Sequence, residues 1–250
     1  NFKFIDYMLC LFPFELDFCS NVRKKAFYIG HPLIENEDNY LDENTEEIIE
    51  IVYDLQADSY IRRLEKEEIA KRGELYTKLI ADMISELCSA SSILEAGVGD
   101  GTKLKGVLGN LDKSVAGHGF DLCWSRVFSA QNYIVKDRDN HVQLCMGSLL
   151  NLPYLDNSVD VVYTSHSIES NGGNEKKIIQ ELYRVAKKYL ILVEPNYEAA
   201  DFDSKKRMES FGYCRGIKET VEDLGLKIID HFPFPIESYT DHGNPTWGTI

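Results

Sequence analysis

The chain has 250 residues, of which 44% are hydrophobic and 27% charged, and its formal net charge is −14. That length fits one large domain or a domain with an appendage, and the apolar content supplies a sizeable core, which excludes global disorder. Ten acids, Glu35 to Asp58, fall in a window free of Lys and Arg, so residues 62–250 carry only −5. The balance still argues against a nucleic-acid backbone as ligand, which needs basic surface.

In chain order, residues 1–34 come first, apolar and aromatic with a basic knot at Arg23, Lys24 and Lys25. The run Phe2–Phe14 is broken by Lys3, Asp6 and Pro13. It is too short for a transmembrane span and lacks the charged start and cleavage site of a signal peptide. The chain opens on Asn1 and closes in a strand-like run, Pro245 to Ile250, as an excerpt of a longer product would. A soluble cytoplasmic protein is expected. Six cysteines without a C-x-x-C pair read as reduced thiols, with no zinc or other metal site. Residues 35–50 read as a solvated acidic linker or the start of an exposed helix. The expected division is therefore 1–50, extension and linker, and 51–250, the main domain.

Beyond residue 50 the pattern becomes regular. Leu75, Leu79, Met83 and Leu87 recur every four residues and predict a helix over 73–88. Strands are predicted at Ser91–Ala96 and Ser114–Phe120, a helix at Ser125–Tyr133, and strands at His141–Met146 and Val159–Thr164. A helix at Lys176–Ala186, a strand at Tyr189–Val193 and a helix at Ile217–Leu224 follow. Strands at Leu226–Phe232 and near Thr246–Ile250 end the series. Runs such as Val159–Tyr163 are nearly all apolar, as in strands covered on both faces. Alternating strands and helices predict an open, doubly wound α/β sheet whose ligand sits at the carboxyl ends of the strands.

The segment Ile93–Thr102 is a strand, a glycine turn and a helix start. Glycines at 97, 99 and 101 allow positive φ and close approach of backbone to a ligand. The dinucleotide fingerprint would want glycine where Thr102 stands, which weakens a nicotinamide reading. Asp121, at the end of the next strand, suits the cap of the helix that follows.

Glu95-x-Gly97-x-Gly99-Asp100-Gly101 resembles the first motif of the class I S-adenosylmethionine (SAM)-dependent methyltransferases, of the type 11-like kind. Gly119-Phe120-Asp121, Gly147-Ser148-Leu149, Leu152-Pro153-Tyr154 and Asn157–Val162 resemble the motifs that follow in that family. So do Glu181–Ala186 and Leu192-Val193-Glu194-Pro195. The resemblance implies a Rossmann-like, doubly wound seven-stranded sheet with an N-terminal extension, and SAM as cofactor. It places cofactor contacts at Tyr60, Glu95, Gly97, Gly99, Gly101, Asp121, Leu122, Ser148, Leu149 and Ser165, with Asp121 at the ribose hydroxyls. At one position the chain departs from the family, which commonly has Asp where Ser148 stands; adenine N6 recognition by that side chain is then in question. Tyr53-Asp54-x-x-Ala57-x-x-Tyr60 resembles a helix that closes over the cofactor.

His166 follows the fourth predicted strand, at the edge where acceptors sit in this fold, and is nominated as base or acceptor-orienting residue, with Glu169 second. Tyr213, Cys214, Arg215, His231 and His242 are further pocket candidates. The expected partner is a small-molecule acceptor bearing a hydroxyl or amine; nucleic acid is not expected, and self-association is left open. The alternatives are a SAM-fold binding module without turnover and a fragment of a bifunctional lipid A or sugar-pathway protein. The latter comes from Ile5–Glu15 and Phe27–Leu33, which resemble a short piece of lipid-A-disaccharide synthase and imply an acceptor from sugar or cell-envelope metabolism.

Overall fold

The computed structural model describes residues 7–10, 25–28, 45–135, 142–236 and 245–250. The chain divides into two compact units, Asn1–Asp42 and Glu43–Ile250. In the first, β1 (Tyr7–Cys10) and β2 (Lys25–Tyr28) pair in parallel, with Tyr7 opposite Lys25. Most of the stretch that resembles the glycosyltransferase piece lies outside the described residues, as does His242.

The second unit begins with helices α1 (Glu46–Asp54), α2 (Ser59–Arg63) and α3 (Glu67–Leu87). Helix α1 starts inside the predicted acidic linker. The Thr45 hydroxyl caps it by accepting from the Ile48 N–H, and Glu46 and Glu47 occupy the first turn, where the helix dipole favours acids. The sheet then follows as β3 (Ser92–Ala96), β4 (Ala116–Asp121), β5 (Val142–Met146), β6 (Val159–Ser165), β7 (Ala186–Pro195), β8 (His231–Pro233) and β9 (Thr246–Thr249). Between these lie α4 (Thr102–Asn110), α5 (Trp124–Val135), α6 (Glu175–Val185), α7 (Phe202–Ser210) and α8 (Ile217–Asp223).

Strand order is β5-β4-β3-β6-β7-β9-β8, parallel except that β9 runs antiparallel to both its neighbours. This is the doubly wound seven-stranded sheet expected of the class I methyltransferase fold. Successive residues of each central strand face opposite layers. Ile93, Val161, Tyr163, Ile191 and Val193 join the cluster formed with Tyr76, Ile80 and Ile84 of α3 and Leu104 and Leu108 of α4. Leu94, Val162 and Leu192 join the cluster with Ile178, Ile179, Leu182 and Val185 of α6. Both faces are thus sealed, and ligand access is left to the strand ends. Registers Glu95↔Gly119 and Glu95↔Tyr163 bring the carboxyl ends of β3, β4 and β6 to one edge.

Two local expectations differ from the fold. The predicted strand Leu226–Phe232 is regular only from His231 to Pro233. Helix α7, Phe202–Ser210, forms where no element was predicted; just Ser204 and Met208 of it are buried, so its sequence carries no apolar period. No helix among the described residues is long and apolar enough to cross a membrane.

Candidate functional site

A cleft of the second unit opens at the shared edge of β3, β4 and β6 and is roofed by α1 and α2. Gly97, Gly99 and Gly101 all adopt positive φ, at +73°, +52° and +76°. The loop therefore turns sharply without side chains to fill the cleft. Gly97 and Gly99 line it. Gly101 stands behind, at the start of α4, where a Cβ would come within 2.7 Å of Ile134 Cδ1. Its part is to seat the loop on α5.

Asp121, 9% exposed, holds the loop in place. Its Oδ2 accepts the Gly99 N–H at 2.8 Å and its Oδ1 the Cys123 N–H at 3.0 Å. Each oxygen keeps a second lone pair for a ligand hydroxyl. Leu122 and Leu149 line the cleft with Phe120 and Ile49, giving an apolar slot on one side of Asp121. Ser148 does not line it: its Oγ accepts the Leu150 N–H at 2.9 Å and hydrogen-bonds the carboxylate of Glu46, which does line the cleft.

On the other side of Asp121 the lining is charged. Glu95 is 1% exposed and accepts the Tyr163 hydroxyl at 3.0 Å. Burial pushes its carboxyl up, while Lys103 and Tyr163 oppose the shift. The same burial pushes the Lys103 ammonium down, opposed chiefly by Glu95; its Nζ donates to the Ser165 carbonyl at 2.8 Å. Ser165 lines the cleft, its Oγ held 2.8 Å from the Tyr76 hydroxyl.

Arg126 of α5 is 3% exposed and sits under Tyr60 and Tyr53, with ring centroids 4.6 and 5.3 Å from its guanidinium carbon. Burial works against its charge, yet Tyr60, Asp121 and Asp100 hold the guanidinium ionised. The Tyr60 N–H donates to Asp100 Oδ2 at 3.1 Å, and the hydroxyls of Ser125 and Ser129 donate to Asp54 and Asp58. These contacts fasten the α1–α2 segment onto α5.

At the β6 end, His166 adopts φ +54°. Both ring nitrogens are engaged, Nδ1 with Glu169 Oε2 and Nε2 with Thr246 Oγ1, each at 3.2 Å. Glu169 Oε1 accepts the Tyr213 hydroxyl, also at 3.2 Å. His166 and Glu169 both line the cleft, and the Tyr53 hydroxyl lies 2.9 Å from Ser170 Oγ, joining the roof to the loop that follows. Among the other candidates, Cys214 is buried with its thiol on the Ile168 carbonyl, and Arg215 lies over the Tyr197 ring. His231 pairs with Thr249 near the sheet edge, in a separate depression.

Of the twelve predicted cofactor and catalytic residues, ten thus line one cleft, with Gly101 and Ser148 behind its wall; Tyr213, Cys214, Arg215 and His231 do not line it. Glu46, Lys103 and Arg126 were not singled out in the sequence. The legible sign for Arg126 was a charge on the buried face of a helix, at i−4 from Ala130 and i−8 from Ile134. The cleft suits SAM on the structure's own terms. It offers an apolar slot for a flat base, a carboxylate for a diol and an ionic end for an amino-acid group. Buried Arg126 Nη2 and Ser167 Oγ have no hydrogen-bond partner among the described residues and border the same space, while Arg126 Nε lies 3.4 Å from Asp100 Oδ1.

Residues 94–192 match the family model described as a methyltransferase domain. Among solved structures, magnesium protoporphyrin IX methyltransferase from Synechocystis PCC 6803 with bound SAH is similar at 14% identity and TM-score 0.63, covering 82% of this chain and 98% of that one. A SAM-dependent methyltransferase from Aquifex aeolicus is similar at 18% identity and TM-score 0.51, over 67% of this chain and 86% of that one. Geranyl diphosphate C-methyltransferase from Streptomyces coelicolor A3(2) gives 14% identity and TM-score 0.55, over 68% and 75%. No curated protein matches the sequence. The fold is that of the class I methyltransferases, and residues 94–192 are a methyltransferase domain.

Proposed function

We propose that residues 51–250, roofed by α1 from Glu46 onward, form the catalytic domain and use SAM to methylate a hydroxyl or amine of a small-molecule acceptor, in the cytoplasm. The observation that carries this reading is the meeting, in one cleft, of the glycine loop and Asp121 with the His166–Glu169 pair at the end of β6. Similar structures are named for small acceptors, including magnesium protoporphyrin IX and geranyl diphosphate. The resemblance of residues 1–34 favours a sugar or cell-envelope precursor.

When bound, SAM supplies an activated methyl for in-line displacement, so the chain contributes orientation, exclusion of water and a place for the acceptor's proton. Asp121 takes the ribose hydroxyls and Glu95 the amino group, with Tyr60, Leu122, Leu149 and Ser165 enclosing the ligand. Since both His166 nitrogens are engaged, Glu169 is assigned as the proton acceptor and His166 as the residue that positions it. Replacing His166 by Ala is expected to lower turnover roughly 100-fold while SAH affinity changes less than about threefold. Conversion of SAM to SAH with a screened acceptor, followed across pH beside calorimetry, checks this; equal losses in both quantities would make His166 a structural residue.

Asp121→Ala is expected to weaken SAH binding at least about tenfold, or about 1.4 kcal/mol, from a wild-type affinity in roughly the micromolar range. Calorimetry on the two proteins decides it. Unchanged affinity would remove Asp121 from the ribose site.

A further inference from the structure

We propose that Glu46, from helix α1, supplies the carboxylate that receives the exocyclic amine of the cofactor's adenine, standing in for the missing acid at position 148. The inference rests on the SAM reading of the cleft.

An adenine amine offers two N–H donors, and enclosing it in an apolar slot without an acceptor leaves those donors unsatisfied. The residue at the exit of β5 is Ser148, and its hydroxyl is already taken by the Leu150 N–H and by Glu46. The other cleft carboxylates are committed elsewhere. Asp121 takes two backbone N–H groups, Glu95 takes Tyr163, and Asp100 takes the Tyr60 N–H. Glu169 takes Tyr213 and His166. Among the described residues that line the cleft, Glu46 is the one whose carboxylate hydrogen-bonds Ser148 at the β5 exit. It is a turn away from Ile49 on the same helix face, and both line the cleft.

The arrangement has a consequence for the roof. The acid that reads the base comes from a segment fastened to the core by Tyr60, Ser125 and Ser129 rather than from the sheet itself. Base recognition and closure of α1 are then one event, and a ligand without the amine forgoes part of the closing energy.

The test is calorimetry with two probes, SAH and its analogue in which the adenine amine is replaced by hydrogen. Glu46→Ala is expected to weaken SAH roughly tenfold or more, as for loss of a hydrogen bond to a charged group, and to leave the analogue's affinity unchanged. Adding Ser148→Asp to Glu46→Ala is expected to restore SAH binding, since an Asp oxygen can still accept the Leu150 N–H. Equal losses for both probes, or no loss for SAH, would overturn the assignment and leave Glu46 a roof contact only. Failure of the wild-type chain to bind SAH at all would instead overturn the SAM reading on which the assignment rests.

Discussion

Gly97→Ala is expected to abolish measurable SAH binding, weakening it by more than roughly 100-fold, which is about 2.8 kcal/mol. Gly97 sits at φ +73°, and a Cβ built there would lie 2.4 Å from Ser167 Cβ. The neighbour is the root of a side chain rather than a flexible tip, so the loop itself must move. Ser167 cannot retreat freely, because its N–H donates to buried Glu194 Oε1 at 3.2 Å. The left-handed backbone costs a non-glycine residue about 1–2 kcal/mol and overpacking about 1–3 kcal/mol more, so stability should fall by about 2–5 kcal/mol. Urea unfolding beside calorimetry separates the two effects. Gly109→Ala is the control: nothing lies within 4 Å of its Cβ position. Near the end of α4 it should leave SAH affinity unchanged and add about 0.5–1 kcal/mol of stability. SAH affinity within threefold of wild type in Gly97→Ala would mean that the loop does not form the cofactor wall.

The sheet was legible because its strands are buried on both faces and so read as apolar runs. Val159–Ser165 is buried at every position. Elements at the rim, half exposed, were not legible in the same way. The predicted strand at Leu226–Phe232 shrinks to His231–Pro233, where pairing with β9 is available. Helix α7 carries Asp203, Lys205, Lys206 and Glu209 among nine residues and has almost no buried face to announce it.

Helix α1 hid inside the acid run, although Thr45, Ile48, Ile49 and Val52 follow capping and apolar spacing once it is sought. In the site, the glycines and Asp121 were legible because their work is done by backbone geometry within one strand–turn–helix unit. Glu46, Lys103 and Arg126 act across the fold. Glu46 meets Ser148 from 102 positions away, and Lys103 meets Ser165 from 62. Such meetings are set by topology, which a residue pattern does not specify.

Glu194→Gln is expected to remove about 3 kcal/mol of pH-dependent stability difference between pH 4.5 and pH 8. Glu194, next to last in β7, is 2% exposed and lies near Glu169 and His166. Burial raises its carboxyl from an ordinary 4.5 to about 7; the Glu169 charge adds to this, while His166, Thr164 and the Ser167 N–H oppose it. Between those values the folded chain holds a proton that the unfolded chain has released. The group's contribution is therefore fully present below about pH 4.5 and is lost as pH rises toward and through 7. The difference in unfolding free energy between wild type and variant, measured in urea at several pH values, isolates this group from every other carboxylate. The variant should gain on the wild type steadily from pH 4.5 to about 7 and run parallel to it above. A flat difference would show that Glu194 is ionised in the fold at neutral pH. In that case a buried negative charge would face the His166–Glu169 pair throughout the working range.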